Sequence, residues 1–225
     1  MLSIVATPIG NLSDITLRAV HVLTNADVIL AEDTRVTRQL LDHYNIKKEI
    51  ISYHQHSGEQ TIEKIIALLQ SGKKVALVSD AGTPGVNDPG NYLIQEILKE
   101  LPHETILPIP GPNAAIAALS ISGFPSDRFL FLGFPPHKKG RKTFFERVGA
   151  TEETVVFYES KHRVLKALKE LDAIAKIGHR KLIVARELTK QFETVYRGTL
   201  ADIDAKIQAN KNNLLGEFVV VIAPQ

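Results

Sequence analysis

Three loops rich in glycine and proline occur in this sequence of 225 residues, at 7–11, 79–90 and 108–113. Each follows a short apolar segment that has the character of a β-strand. Glycine allows a positive φ and a close approach of the backbone to a ligand, while proline stiffens the adjoining turns. One such loop would indicate only a turn. Three of them, each after a strand, predict a ligand site at the carboxyl edge of a sheet.

The same loops exclude two familiar nucleotide sites. The sequence contains no G-x-x-x-x-G-K-[ST] segment, so a P-loop is not expected. No G-x-G-x-x-G follows the first predicted strand, so an ordinary dinucleotide site is not expected either. The ligand of the three loops must therefore be held in another way.

A pair of carboxylates, Glu32 and Asp33, follows the second predicted strand, beside Arg35. Paired carboxylates can serve general acid–base chemistry or bind a metal ion. They also suit a helix N-terminus, where they cap free N–H groups, and the pattern alone favours that interpretation. His54 and His56 could begin a zinc site, but no further ligand follows at a metal-like spacing, so no metal site is expected.

Cations concentrate in the second half of the chain. Residues 1–124 carry 9 Lys/Arg against 13 Asp/Glu, whereas residues 125–225 carry 18 against 12. The densest group lies in a loop containing Pro135, Pro136 and Gly140, and its members are Lys138, Lys139, Arg141 and Lys142. Arg163, Arg186 and Lys190 follow other predicted strands. The pattern favours contacts with the phosphates of a polyanion, although a solvated basic surface without a partner would give the same pattern.

The elements that position these groups alternate between strand and helix. The predicted strands of the first half are 2–7, 27–31, 50–51, 74–78 and 104–109. Helices lie between them, the first capped by Ser13 with Leu17 on its apolar side. This alternation predicts a mainly parallel sheet with helices on its faces. A junction at 123–126 divides an N-terminal α/β domain, 1–124, from a C-terminal α/β domain, 125–225.

Composition places the chain among globular proteins, with 44% hydrophobic residues and no cysteine. No apolar run approaches the roughly 20 residues that a membrane span needs. The N-terminus lacks the charged start of a signal peptide. A cytoplasmic protein without a membrane partner is expected.

Six motifs, in order along almost the whole chain, carry a resemblance. They are Thr-Pro-Ile-Gly-Asn-Leu (7–12), Ala-Glu-Asp-Thr-Arg (31–35), Ser-Asp-Ala-Gly-Thr-Pro-Gly (79–85), Pro-Gly-Pro-Asn-Ala (110–114), Tyr-Glu-Ser-x-His-Arg (158–163) and Ala-Arg-Glu-Leu-Thr-Lys (185–190). Together they resemble the cytidine 2′-O-methyltransferases of small-subunit (16S) ribosomal RNA, in the tetrapyrrole-methylase superfamily. The resemblance implies two α/β domains, with a mixed sheet in the second. It also implies a cleft between them for S-adenosylmethionine, a homodimer, and ribosomal RNA or the small ribosomal subunit as partner.

The resemblance also assigns residues. Those that would bind the methyl donor are Pro8, Gly10, Asp80, Ala81, Gly82, Thr83, Pro84, Gly85, Val86, Pro110, Gly111, Asn113, Ala114, Tyr158, Glu159, Leu215, Gly216 and Glu217. The candidates for activating the ribose hydroxyl are Glu32, Asp33, Glu159 and Lys190, with Arg186 and Glu187 beside them. The basic pattern of the second half, rather than the resemblance, gives the RNA-binding set, which is Lys138, Lys139, Arg141, Lys142, Arg163 and Arg186.

Two departures from the family pattern and two alternatives remain. Lys161 stands where the family usually has proline, and the family usually continues into a small C-terminal extension beyond the Pro224-Gln225 of this sequence. One alternative is methylation of a tetrapyrrole or another small substrate. The other is a nucleotide-binding regulatory module without catalysis.

Overall fold

The structure is a computed structural model, which describes residues 1–54, 57–88 and 90–225. His56, one of the two histidines considered as zinc ligands, and Pro89 of the loop 79–90 lie outside the described residues. The chain divides into two compact units, Met1–Asn113 and Ala114–Gln225.

The first unit contains a five-stranded sheet in which every strand runs parallel. Its strands are β1 (Leu2–Val5), β2 (Val28–Ala31), β3 (Glu49–Ser52), β4 (Val75–Leu77) and β5 (Ile106–Ile109), in the order β3-β2-β4-β1-β5. Its helices are α1 (Leu17–Asn25), α2 (Thr34–His43), α3 (Glu59–Gln70) and α4 (Asn91–Glu100), with a short 3₁₀ helix at Leu12–Asp14. Because the strands are parallel, their carboxyl ends meet at one edge.

Both faces of this sheet are buried. One core contains Leu30 and Leu77 of the sheet with Ile65 of α3 and Leu93 of α4. The other contains Ile29, Ala31 and Ala76 of the sheet with Leu23 of α1 and Leu41 of α2. Successive side chains of β2 therefore enter opposite cores, because side chains alternate between the faces of a strand. This burial accounts for the uninterrupted apolar character of β2 and β4.

The predicted start of the first helix was wrong. Ser13 lies in the short 3₁₀ helix, and Thr16 caps α1 by accepting a hydrogen bond from the N–H of Ala19. Leu17 is 90% exposed rather than part of the core. The predicted helix therefore began about one turn too early, at Ser13 instead of Thr16.

The second unit contains a five-stranded mixed sheet, as expected. Its elements are α5 (Ala114–Ser120), β6 (Phe129–Phe131), α6 (Arg141–Ala150), β7 (Thr154–Ser160), α7 (Val164–Ala173), β8 (Leu182–Arg186), β9 (Thr194–Gly198), α8 (Leu200–Gln208), a 3₁₀ helix at Lys211–Leu214 and β10 (Glu217–Ile222). The strand order is β6-β7-β10-β8-β9, with only the β6–β7 pair parallel among the described pairs. Its core lies between the sheet and α6, α7 and α8.

The division between the units precedes α5, whereas the sequence places the domain junction after this helix. Helix α5 packs against β7 and β10, so it belongs with the second sheet. A further difference concerns the basic loop. Arg141 and Lys142 are not in a loop but form the first turn of α6.

Within the described ranges, none of the helices has the length and apolar character that crossing a membrane requires.

Candidate functional site

The three glycine- and proline-rich loops are joined to one another in the first unit. Thr7 and Gly82 form a reciprocal bridge: the Thr7 N–H donates to the Gly82 oxygen at 2.8 Å, and the Gly82 N–H donates to the Thr7 oxygen at 3.0 Å. The Thr83 hydroxyl donates to the Pro112 oxygen at 3.1 Å. The loops after β1, β4 and β5 therefore form one surface, as their positions after parallel strands predict.

Two glycines give the central loop its shape. Gly82 and Gly85 have φ values of +84° and +81°, a region that other L-residues rarely adopt. A Cβ atom on Gly82 would make ordinary contacts, 3.6 Å from Ile9 Cγ2 and 3.7 Å from the Pro112 oxygen, so Gly82 lies between the other two loops. Glycine is favoured at this position by the backbone conformation.

The predicted donor-binding residues of this surface differ in exposure. The exposed ones are Gly10, Asp80, Ala81, Val86, Pro110 and Gly111; Thr83, Gly85, Asn113 and Ala114 are half-buried; and Pro8, Gly82 and Pro84 are buried. The exposed group offers backbone N–H and carbonyl groups and one carboxylate to a ligand. The buried group fixes the course of the loops.

The two candidate carboxylates after β2 are in different environments. Asp33 caps α2: its Oδ1 accepts the Arg35 N–H at 2.8 Å, and its Oδ2 pairs with Arg35 Nη2 at 2.5 Å. The hydrogen bonds from Arg35 lower the pKa of Asp33 to about 2. Burial, followed by the charge of Asp80, raises the pKa of Glu32. The helix-capping interpretation therefore describes Asp33, while Glu32 keeps the properties of an acid–base group.

A third carboxylate, Asp88, extends this acidic edge. Burial raises its pKa to about 6, and the charges of Glu32 and Asp80 act in the same direction, against a hydrogen bond from Ser79. Asp80 also accepts the Asp33 N–H at 2.9 Å, which links the end of β2 to the loop after β4. Asp88 was absent from the residues selected by sequence. Its place in the Asn-Asp-Pro-Gly sequence, three residues after Gly85, was the available signal.

In the second unit, Glu159 is completely buried in an ion-pair network. Its Oε2 lies 3.4 Å from Arg141 Nη1, and its Oε1 lies 3.0 Å from Arg163 Nε. Arg141 is itself buried and pairs with Glu170 at 2.6 Å. Arg141 and Arg163 were proposed to bind RNA and Glu159 to act in catalysis and donor binding. The structure places all three in one network of internal contacts.

At the end of β8, too, a charged side chain is bonded to groups inside the protein. Arg186, also predicted to bind RNA, is buried and donates to the carbonyl oxygens of Leu215, Asn212 and Phe192 at 2.6, 2.8 and 3.1 Å. The bonds to Asn212 and Leu215 hold the backbone just before β10, where the predicted Leu215-Gly216-Glu217 site begins.

Lys190 pairs with Glu187 at 3.0 Å and with Glu217 at 2.8 Å. Burial lowers the pKa of Lys190, but its bonds to the two carboxylates outweigh burial and leave the pKa raised. Glu187 has a φ of +51°, and its side chain packs over Gly216, where a Cβ atom would clash with it. Such strained conformations recur at functional sites.

Three of the predicted RNA-binding residues are exposed: Lys138, Lys139 and Lys142. Tyr158 is half-buried, and its hydroxyl accepts the Ala115 N–H at 3.2 Å. In the parts of the chain that the structure describes, no group of three or more His, Asp or Glu side chains could hold a metal ion.

The chain is similar in sequence to known proteins over nearly its full length. The family model of the Tetrapyrrole (Corrin/Porphyrin) Methylases matches residues 1–204. The chain is 45% identical to a ribosomal RNA small subunit methyltransferase I from Xylella fastidiosa, over 98% of this chain and 80% of that protein. The protein of the same name from Thermotoga maritima is 42% identical, over 99% of this chain and 97% of its own length.

Solved structures share the fold at low sequence identity. The chain superposes on diphthine synthase with a TM-score of 0.73 and 16% identity, over 99% of this chain and 89% of the other. Cobalt precorrin-4 methyltransferase gives a TM-score of 0.69 and 19% identity, over 99% and 94% of the two chains.

Proposed function

The chain belongs to the Tetrapyrrole (Corrin/Porphyrin) Methylases, and we propose that it methylates small-subunit ribosomal RNA with S-adenosylmethionine. The acceptor in this proposal is the ribose 2′-hydroxyl of a cytidine. The observation that carries the proposal is the joined loop surface of the first unit, in a chain 42–47% identical to RNA methyltransferases over nearly its full length.

The chemistry of the loop surface fits the methyl donor. S-adenosylmethionine supplies an electrophilic methyl group on a positively charged sulfur. Exposed backbone groups of Ala81 and Gly111 suit its polar groups, and left-handed Gly82 and Gly85 allow a close approach. The acidic edge adds negative charge that favours a cation. Pro8, Gly10 and the 110–114 turn complete the proposed donor site.

In the proposed mechanism, the chain orients the ribose and accepts a proton. A ribose hydroxyl is a weak nucleophile, so a nearby base raises its reactivity. Glu32 is our choice for that base, because a carboxylate with a raised pKa is the better proton acceptor. Asp33, with a pKa of about 2, is a weak base, and Glu159 is enclosed by arginines.

The second unit contributes positioning in this proposal. The Lys190 ammonium, held by Glu187 and Glu217, is a cation that could stabilise negative charge on the reacting oxygen. Tyr158 and the 215–217 segment remain proposed donor contacts. The donor cleft, the homodimer and the cytoplasmic location that the resemblance implies stay predictions.

A methyl-transfer experiment tests this function. The protein would be incubated with methyl-labelled donor and small ribosomal subunits, and the labelled RNA hydrolysed in alkali. A 2′-O-methyl group protects the adjacent phosphodiester, because the blocked oxygen can no longer attack it. We expect label in an alkali-resistant dinucleotide that contains cytidine. Label on a base, label on a tetrapyrrole alone, or donor binding without transfer would each contradict the proposal.

A further inference from the structure

An exposed aromatic side chain lies a few residues before the exposed lysines of the second unit. Phe134 is 46% exposed and follows Gly133, whose φ of +64° turns the chain after β6. The Phe134 ring contacts the ring of Tyr158, with centroids 5.3 Å apart and planes inclined at 57°. Tyr158 is fixed in turn, because its N–H donates to Gly133 and its hydroxyl accepts from Ala115. Phe134 therefore has a firm support.

Hydrogen bonds from buried Arg141 and half-buried Arg163 hold the segment between Phe134 and the lysines. Arg163 Nη1 donates to the Pro135 oxygen at 2.9 Å, and Arg141 Nη1 donates to the Pro136 oxygen at 3.3 Å. Both guanidinium groups are paired with Glu159. The network thus fixes the backbone on which an aromatic ring and two exposed cations, Lys138 and Lys139, stand within six residues.

On the basis of the proposed function, we propose that Phe134 stacks on an unpaired RNA base while Lys138 and Lys139 contact the flanking phosphates. A single exposed aromatic residue is ordinary on a protein surface. An aromatic ring beside cations on a fixed backbone is how proteins bind single-stranded nucleic acid, because every base has a face that can stack. Proteins that recognise RNA by sequence mostly bind unstacked nucleotides in loops, bulges and ends. Phe134 supplies a surface for that base or its neighbour.

Phe129 offers a matched control at the other end of β6. It is 37% exposed, and its neighbours Asp127, Arg128, Glu152 and Glu153 carry mixed charges rather than a positive excess. Phe129 begins β6 and Phe134 lies three residues beyond its end. The two phenylalanines therefore have a similar exposure but differ in electrostatic surroundings. A general loss of surface apolar area would affect both positions alike.

The test compares Phe134→Leu, Phe134→Trp and Phe129→Leu with the wild-type chain. Affinities for a short single-stranded oligocytidylate, for small ribosomal subunits and for the methyl donor would be measured over a range of salt concentrations. We expect Phe134→Leu to bind both RNA probes about tenfold or more weakly. The dependence on salt should be unchanged, since no charge is lost. Phe134→Trp should retain binding, and Phe129→Leu should behave as wild type.

Several results would overturn this assignment. Wild-type RNA affinity in Phe134→Leu would do so, as would an equal loss in Phe129→Leu. A loss of donor affinity alone would make Phe134 a donor contact. Weaker binding to subunits with unchanged binding to oligocytidylate would indicate a protein contact. If Phe134→Leu unfolds, Phe134→Met decides, because methionine is an adaptable apolar residue without a ring, and wild-type RNA affinity in folded Phe134→Met would overturn the assignment. If the wild-type chain fails to methylate subunits, the proposed function itself is refuted. If the wild-type chain methylates subunits and Phe134→Leu binds RNA with unchanged affinity, only the stacking role is refuted.

Discussion

The two units treat the charges at their strand ends differently. In the first unit, burial and neighbouring carboxylates raise the pKa values of Glu32 and Asp88, so these groups are costly to ionise. In the second unit, Glu159 and Arg186 are buried to a similar or greater extent, but each is bonded to groups that compensate its charge. The first edge keeps carboxylates that can exchange protons. The second uses its charges to hold loops in place.

This comparison teaches that charged motifs after strands do not share one role. Glu32 in Ala-Glu-Asp-Thr-Arg and Glu159 in Tyr-Glu-Ser-x-His-Arg occupy similar positions in sequence. One remains accessible to chemistry, whereas the other is enclosed by two arginines. The roles can be separated by experiment.

The largest effect is expected at Gly82. The change Gly82→Val should abolish donor binding in calorimetry, because a branched side chain cannot adopt its backbone conformation and would crowd the joined loops. Gly72→Val is the matched control: Gly72 also has a left-handed φ, of +79°, but no atom lies within 4 Å of a Cβ there. It should lose about 1–2 kcal/mol of stability and keep donor affinity. Equal donor affinity in both variants would remove the loops from the donor site.

The next effect concerns proton transfer. Glu32→Gln should lower kcat for methyl transfer by about 100-fold or more, as removal of a general base does. Donor affinity should be little changed. Glu49→Gln, at an exposed position on β3, serves as control and should be neutral. A wild-type kcat in Glu32→Gln would contradict the proposed role of the first edge.

Loss of the buried carboxylate should show in stability. Glu159→Gln should reduce the free energy of unfolding by about 3 kcal/mol, because Arg163 loses its paired charge and Arg141 keeps only Glu170. Glu146→Gln removes a carboxylate from the exposed pair with Lys142 and should have no measurable effect. Urea denaturation compares the two. Similar small losses in both would mean that the network is not structural.

A smaller effect is expected from pH. The pKa of Asp88 is raised to about 6, above its ordinary 3.8, so the folded state favours the protonated form. Its contribution to stability is therefore present below pH 4 and lost as the pH rises through 6. Asp88→Asn should remove this loss and stabilise the protein at pH 7 by about 1 kcal/mol, after allowance for partial exposure. Thermal unfolding of both proteins between pH 4 and 8 measures it. If the unfolding temperatures of the two proteins depend on pH in the same way, the raised pKa of Asp88 is contradicted.

Much of the fold follows from local signals in the sequence. Strands β2 and β4 are apolar on both faces, and loops of glycine and proline follow β1, β4 and β5. Thr199 begins α8 with a capping box formed with Asp202, which lies three residues further along the chain. These features depend on residues a few positions apart, so a single sequence is enough to find them.

Other features depend on partners distant in the chain or on weak local patterns. From the sequence, Arg141 is predicted to be one of four cations in a loop. Its contacts with Glu159 and Glu170, which are distant in the chain, form only in the folded protein. Helix α6 shows no clear apolar stripe in the sequence, because Phe144 and Phe145 are adjacent. Strand β9 lacks a clear alternation, because Tyr196 is its only buried residue.

The most direct test of the division between the two units uses the exposed lysines. In Lys138→Gln/Lys139→Gln/Lys142→Gln, the slope of RNA affinity against salt should fall by up to about three units, one for each lost phosphate contact. Arg141 is left intact because it is buried in the ion-pair network. The control is Lys47→Gln/Lys64→Gln/Lys99→Gln, three exposed lysines of the first unit. We expect a flatter slope for the variant of the second unit and an unchanged slope for the control, with donor affinity unchanged in both. An unchanged slope, or a fall in donor affinity with the slope preserved, would contradict it.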